Sequence, residues 1–185
     1  VPEEIIAGLA QMGCFGLSIP EEYGGSASGS IKDMYGMVIA TEELSRASLS
    51  IGGSLITRPE ILARAIENGG TDEQKRVLLP KIASGDLMSA VAVTEPDHGS
   101  DVASIAMSAR PEPSGGWKLN GVKTWCTFAG RADLLMVLAR TNPDTSQGHR
   151  GLSVFVVEKE RADGHSFDFQ QESGGRMQGK AIPTL

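Results

Sequence analysis

The run Ala92-Val93-Thr94-Glu95-Pro96-Asp97-His98-Gly99-Ser100-Asp101 and the cluster Trp125-Cys126-Thr127 are the residues of this chain best suited to hold a ligand. The first is an apolar, strand-like approach that enters a loop punctuated by proline and glycine. That loop presents the hydroxyls of Thr94 and Ser100 with backbone N–H groups, and Gly99 lets the backbone approach a ligand closely. The second cluster offers a large aromatic ring flanked by the hydroxyls of Thr124 and Thr127. One loop suits phosphate or a polar heteroatom edge, and the other suits the face of a flat ring. Together they describe a site for a phosphorylated, aromatic cofactor. Most turn-rich loops bind nothing, and a Trp near a strand end is more often core than cofactor wall. The residue types alone do not choose flavin over another flat cofactor.

Two kinds of element must position these loops. Residues 1–86 read as a helical domain. Ile5, Leu9 and Met12 have the spacing of one buried helical face. Ser30 with Asp33 makes a capping-box start for a second helix, whose apolar stripe is Met34, Met37 or Val38, Thr41 and Leu44. Ile51, Leu55, Leu62 and Ile66 suggest a third helix that Pro59 kinks or restarts. Asn68-Gly69-Gly70 stops it with a left-handed glycine, and Thr71 with Gln74 opens a fourth, bent near Pro80.

From residue 87 the period changes to that of strands. Val91 and Val93 alternate with Ala90, Ala92 and Thr94. A run near Val102–Arg110 and the segments Trp117–Leu119, Val122–Cys126, Leu134–Ala139 and Leu152–Val157 follow, with a further strand at Phe167 and Phe169. Asn120-Gly121 is suited to a type I′ turn between Trp117–Leu119 and Val122–Cys126. The expected fold class is therefore α+β: an all-helical domain over 1–86, then an antiparallel β-sandwich or barrel over 87–185.

Bulk properties narrow the function classes. The chain has 185 residues, a net charge of −6 and 40% hydrophobic residues. It carries no basic stripe to track a phosphate backbone, which argues against nucleic acid. No membrane span or signal peptide is expected. The two cysteines, Cys14 and Cys126, fit neither a disulfide framework nor a CxxC pattern. The three histidines, His98, His149 and His165, lack ligand spacing, so no metal is expected.

Val93-Thr94-Glu95-Pro96-Asp97-His98-Gly99-Ser100-Asp101 resembles the flavin-binding signature of the acyl-CoA dehydrogenases, and Trp125-Cys126-Thr127 resembles their second flavin segment. Gly16–Gly25, Glu42–Arg46, Gly70–Lys75, Leu79–Gly85 and Leu119–Lys123 also resemble the family, in order and at its separations. The resemblance covers nearly the whole chain. It implies FAD as cofactor, an acyl-CoA thioester as substrate and an electron-transfer flavoprotein as electron acceptor. A homo-oligomer, dimer or tetramer, is implied for the full-length protein. The location implied is cytoplasmic, or the mitochondrial matrix in a eukaryote.

Carried over by residue, the resemblance lays Val91, Ala92, Val93 and Thr94 along the flavin, with Thr94 bonded to the isoalloxazine edge. It sets Gly99 in the cofactor loop and Ser100 against ligand phosphates or the acyl-CoA. Trp125 covers the ring, Cys126 lies beside it, and Thr127 bonds near N5. Three residues depart from the family pattern. Val91 stands where an aromatic residue is frequent, Cys126 where a branched aliphatic is usual, and His98 where a small residue is common. His98 is open to two readings, a titratable group beside the ligand or a solvated loop histidine.

In the family a carboxylate removes the α-proton of the thioester while the β-hydrogen leaves as hydride to the flavin. The resemblance places that glutamate in a C-terminal helical bundle beyond residue 185. No catalytic residue is therefore expected in this chain, and the role of Glu95 is expected to be structural. The stretch Ser54–Arg58, the loop Thr141–Arg150 and Gly174-Gly175-Arg176-Met177 resemble members acting on branched dicarboxyl-CoA, such as methylsuccinyl-CoA dehydrogenases. Arg58 is thus a candidate substrate-binding residue for a distal carboxylate. An exposed helix-end Arg is the alternative. An oxidase- or desulfinase-type member of the same fold and a non-catalytic flavin- or CoA-binding module are the competing functions.

Overall fold

Side-chain caps and buried faces determine where the helices of the first half begin and end. A computed structural model describes residues 1–160, which divide between Ser89 and Ala90 into two units. Helix α1 (Glu3–Gln11) has Glu3 and Glu4 in its first turn, where acidic groups favour the helix dipole. Ile6 and Leu9 are buried. Met12 lies past the last helical residue and is 68% exposed, so it does not extend that face as its spacing suggested.

Helix α2 (Ile31–Ala47) begins with the expected capping box, in which Ser30 and Asp33 satisfy each other's backbone N–H groups. Its expected apolar stripe divides. Met37, Ala40 and Leu44 pack against the core of Ile6, Leu9, Phe15, Leu55 and Met88. Met34 and Val38 instead share an exposed face with Ile31, Tyr35 and Ile39.

Helices α3 (Leu49–Leu55) and α4 (Ile61–Gly69) are joined by a π-turn at Ile56–Glu60. Pro59 has no N–H to donate, and its ring would press on the preceding turn, so the coil widens there. Gly70 caps α4 in an extended conformation, φ −75°, and not in the left-handed one expected. Helix α5 (Asp72–Ala83) opens on the Thr71–Gln74 capping box and runs through Pro80.

The strands β1 (Ser89–Ala92), β2 (Ser108–Pro111), β3 (Trp117–Asn120), β4 (Leu134–Arg140) and β5 (Leu152–Glu158) form one sheet, which apart from Ser89 lies in the second unit. Strand β5 pairs antiparallel along the whole of β4, and β2 and β3 form an antiparallel hairpin. β2 meets β4 in parallel at Ser108 and Arg140, so the sheet is mixed where an antiparallel one was expected. One face buries Ala90, Ala92, Met107, Ala109, Leu119, Cys126, Leu135, Val137 and Ala139. Each large apolar side chain there contributes roughly 1.5–3 kcal/mol by leaving water.

Two expectations fail in this unit. Asn120-Gly121 does not turn a hairpin, because Asn120 ends β3 and residues 122–126 form no strand. The hairpin turn lies instead between Pro111 and Trp117, at Ser114-Gly115-Gly116. Gly121 serves close packing, since a Cβ there would lie 2.7 Å from the Cα of Met107. The run Val102–Arg110 is also not one strand, but a short 3-10 turn at Val102–Ser104 followed by β2. The expected strand at Phe167 and Phe169, and Gly174–Met177, fall outside the described residues.

Candidate functional site

Strand β1 delivers the first loop. Val91 is half-buried and Ala92 buried within it, with Val93 and Thr94 directly after. The chain then folds back at once. The Glu95 N–H donates to the His98 carbonyl at 2.9 Å, and the His98 N–H returns to the Glu95 carbonyl at 3.2 Å. That reciprocal pair closes a tight turn around Pro96 and Asp97 and leaves Gly99 and Ser100 exposed. His98 is half-buried, with both of its backbone groups committed to the turn.

A buried ion pair ties this loop to the second segment. Glu95 and Lys123 are 6% and 4% exposed. Lys123 Nζ donates to Glu95 Oε1 at 2.9 Å and to the Val93 carbonyl at 2.8 Å. The carboxylate also accepts the N–H groups of Ala106, at 2.7 Å, and Met107, at 2.8 Å. One residue beyond Lys123, the Thr124 N–H donates to the Thr94 carbonyl at 2.9 Å. The two segments singled out from sequence are therefore stitched together by one ion pair, the bond from Lys123 to the Val93 carbonyl and one backbone bond. Burial pushes the Glu95 carboxyl up, but the Ala106 N–H, Lys123 and the Met107 N–H outweigh it and hold the group below its ordinary range. Burial also lowers the Lys123 ammonium, with Glu95 opposing that shift.

The second segment shows the backbone at its most constrained. Trp125, φ 57°, and Phe128, φ 62°, are the non-glycine residues with positive φ among the described residues. A bulky side chain in that region costs about 1–2 kcal/mol, and such strain collects at ligand-binding positions. Trp125 is 58% exposed. The intervening Cys126 is anchored in the sheet core. Its thiol is pushed up to about 11 by burial, with Lys123 opposing. Any contact of Cys126 with a ligand would thus run through its backbone. Thr127 is half-buried beside it.

This arrangement fits a flavin. An exposed indole at a positive-φ position, next to the buried Cys126, could serve as a flat wall. The carbonyls of Val93 and Thr94 are spent on Lys123 and Thr124, which leaves the Thr94 hydroxyl to meet a polar ring edge. The exposed Ser100 hydroxyl and the backbone at Gly99 suit phosphate.

Arg58 belongs to the first unit. It sits in the π-turn and is 2% exposed, so it is not the solvated helix-end arginine that the alternative described. Its carbonyl accepts the Ser89 hydroxyl. Sequence reasoning missed the role of Lys123 and the positive φ of Phe128, because a lone lysine and a lone aromatic carry no spacing signal. Among the described residues, no group of three or more His, Cys, Asp or Glu could hold a metal ion, and no helix is long and apolar enough to cross a membrane.

The sequence matches the acyl-CoA dehydrogenase N-terminal domain over residues 1–86 and the acyl-CoA dehydrogenase middle domain over residues 90–180. It is 42% identical over 179 residues to (2S)-methylsuccinyl-CoA dehydrogenase of Cereibacter sphaeroides, covering 96% of this chain and 31% of that protein. Among solved structures, a chain from work on the electron transferring flavoprotein of Acidaminococcus fermentans superposes with a TM-score of 0.75 at 35% identity, over 85% of this chain and 40% of that one. A glutaryl-CoA dehydrogenase from Mycobacterium smegmatis in complex with FADH2 gives 0.72 at 30% identity, over 85% and 38%. The chain spans about a third of the length of the curated relative it matches. With two consecutive domains matched in order and the fold shared, the chain belongs to the acyl-CoA dehydrogenase family.

Proposed function

We infer that this chain supplies the FAD cradle of an acyl-CoA dehydrogenase that oxidises the α,β-bond of a CoA thioester and passes the electrons to an electron-transfer flavoprotein. The observation that carries this is the Glu95–Lys123 staple, which fixes the Thr94 loop and the strained, exposed Trp125 as one unit. A bound flavin supplies the two-electron acceptor for the β-hydrogen. Residues 91–94 would run along it, Thr94 and Thr127 would bond its polar edge, and Trp125 would cover its ring and exclude water. Gly99 and Ser100 would meet phosphate. The related enzyme in complex with FADH2 supports the cofactor, and the structure from electron transferring flavoprotein work supports the acceptor.

Glu95 cannot serve as the proton-abstracting base. Its carboxylate accepts three hydrogen bonds and is held ionised below its ordinary range, so it is a poor proton acceptor near neutral pH. We assign the base to none of the described residues. Arg58, buried in a π-turn, is the group we assign to the distal carboxylate of a dicarboxyl-CoA, in keeping with the methylsuccinyl-CoA dehydrogenase likeness.

The test is anaerobic addition of methylsuccinyl-CoA to the FAD-loaded chain, followed by flavin absorbance. The expected result is a perturbed flavin spectrum without bleaching. Bleaching would overturn the assignment of the base, and a chain that takes up no FAD would overturn the cradle. An Arg58→Met variant that loses the spectral response to dicarboxyl-CoA but keeps that to butyryl-CoA supports the Arg58 assignment; equal responses contradict it.

A further inference from the structure

Arg140 ends β4, and the residue is 7% exposed with its guanidinium bonded to backbone carbonyls. Its Nε donates to the Ile105 carbonyl at 3.1 Å, one terminal nitrogen to the Gly148 carbonyl at 3.3 Å, and the other to the Ala103 carbonyl. Its own N–H reaches the Met107 carbonyl at 2.7 Å. Gly151 leaves the space this requires, because a Cβ there would stand 2.9 Å from the guanidinium.

The residues gripped by Arg140 run directly into those gripped by Glu95. Arg140 takes the carbonyls of 103 and 105, while Glu95 takes the N–H groups of 106 and 107. Two buried side chains of opposite charge thus hold four residues of the 103–107 stretch by their backbone. The exposed Ser100 hydroxyl lies between these anchors. Glu95 begins its loop and is shared with Trp125's segment through Lys123. Arg140 ends the loop and shares it with the Thr145–Gly151 turn. A planar, always-charged fork suits this task, since three carbonyls in different directions can be met only by several fixed donors.

We propose that Arg140 is a positioning residue that sets the Ser100 loop for a pyrophosphate-bearing ligand, either coenzyme A or the FAD itself. It acts through the backbone of Ala103 and Ile105 and touches no ligand. This rests on the assignment of Ser100 to phosphate made above. Loss of the guanidinium frees the far end of the loop while the Glu95–Lys123 staple, and with it the Trp125 wall, stays in place. A displacement of about an ångström at a contact group costs one to two orders of magnitude in a positioned site.

The experiment is a double-mutant cycle of Arg140→Met and Ser100→Ala, titrated separately with FAD and with coenzyme A on the FAD-loaded chain. Hydrogen exchange over residues 102–107 is followed in parallel. The expected result is an affinity loss of about tenfold for one of the two ligands in R140M, nearly absent when R140M is placed on the S100A background, with faster exchange at 102–107. The ligand affected identifies which pyrophosphate Ser100 meets. Additive losses in the cycle, or affinities in R140M within about twofold of the parent, overturn the proposal. Arg140→Gln, which keeps amide donors, takes the place of R140M if the latter loses its circular dichroism. A parent chain that binds neither ligand overturns the FAD and CoA reading instead, and is distinguished by that absence in the parent.

Discussion

Replacing Lys123 by Met removes one charge from a pair whose members are 4% and 6% exposed. The variant leaves Glu95 buried, with the Ala106 and Met107 N–H groups but no cation, and strips the Val93 carbonyl of its donor. Breaking a buried pair from one side costs about 3–5 kcal/mol. The two remaining N–H donors soften the loss, so about 3 kcal/mol is expected. For a unit of about 100 residues that is a fall in Tm of roughly 15 °C. Both tryptophans, Trp117 and Trp125, lie in the second unit, so their fluorescence during urea unfolding reads the unit that contains the pair. Glu95→Gln should cost less, and the double variant should recover about 2 kcal/mol relative to the sum of the singles.

The same pair sets a pH dependence. Glu95 is held below its ordinary value of 4.5 in the folded state. A depressed carboxyl contributes stability that is present above 4.5 and lost as pH falls through the folded value. The parent should therefore lose stability below about pH 4.5, and K123M should lose less over that range. A cost under about 1 kcal/mol for K123M, or additivity with E95Q, would refute the staple.

Three further outcomes follow from the geometry. Trp125→Asn should leave stability within about 1 kcal/mol of the parent, because asparagine tolerates positive φ and little indole burial is lost, while FAD affinity falls roughly tenfold. A loss of more than about 2 kcal/mol in urea unfolding would make Trp125 core and not wall. Gly121→Ala should destabilise by about 1–3 kcal/mol through the clash with Met107, and an unchanged urea midpoint would contradict that packing. Cys126, with its thiol pushed up to about 11, should resist thiol reagents at pH 8 until the unit unfolds. Labelling in the native state as fast as in urea would place it outside the core.

Local signals in the sequence carried different parts of this structure unequally. The caps at Ser30 and Thr71 were legible because each depends on residues three apart, and both form. The β4 and β5 runs were legible because their apolar character continues over a whole strand. Met34 and Val38 misled because helical spacing marks an apolar face without saying whether anything covers it. Asn120-Gly121 misled because a glycine needed for close approach to Met107 has the same letters as a hairpin turn. At the candidate site, Thr94, Ser100 and Trp125 were legible as residue types. The Glu95–Lys123 bond and the guanidinium of Arg140 were not, since each joins residues about thirty positions apart and no periodicity encodes that.

The most direct measurement is a titration of the chain with FAD followed by tryptophan emission, in the parent and in K123M. Saturable uptake that quenches the parent, weakened at least tenfold in folded K123M, is the predicted result. FAD that fails to quench the parent, or that binds K123M as tightly, would contradict a flavin cradle held together by this ion pair.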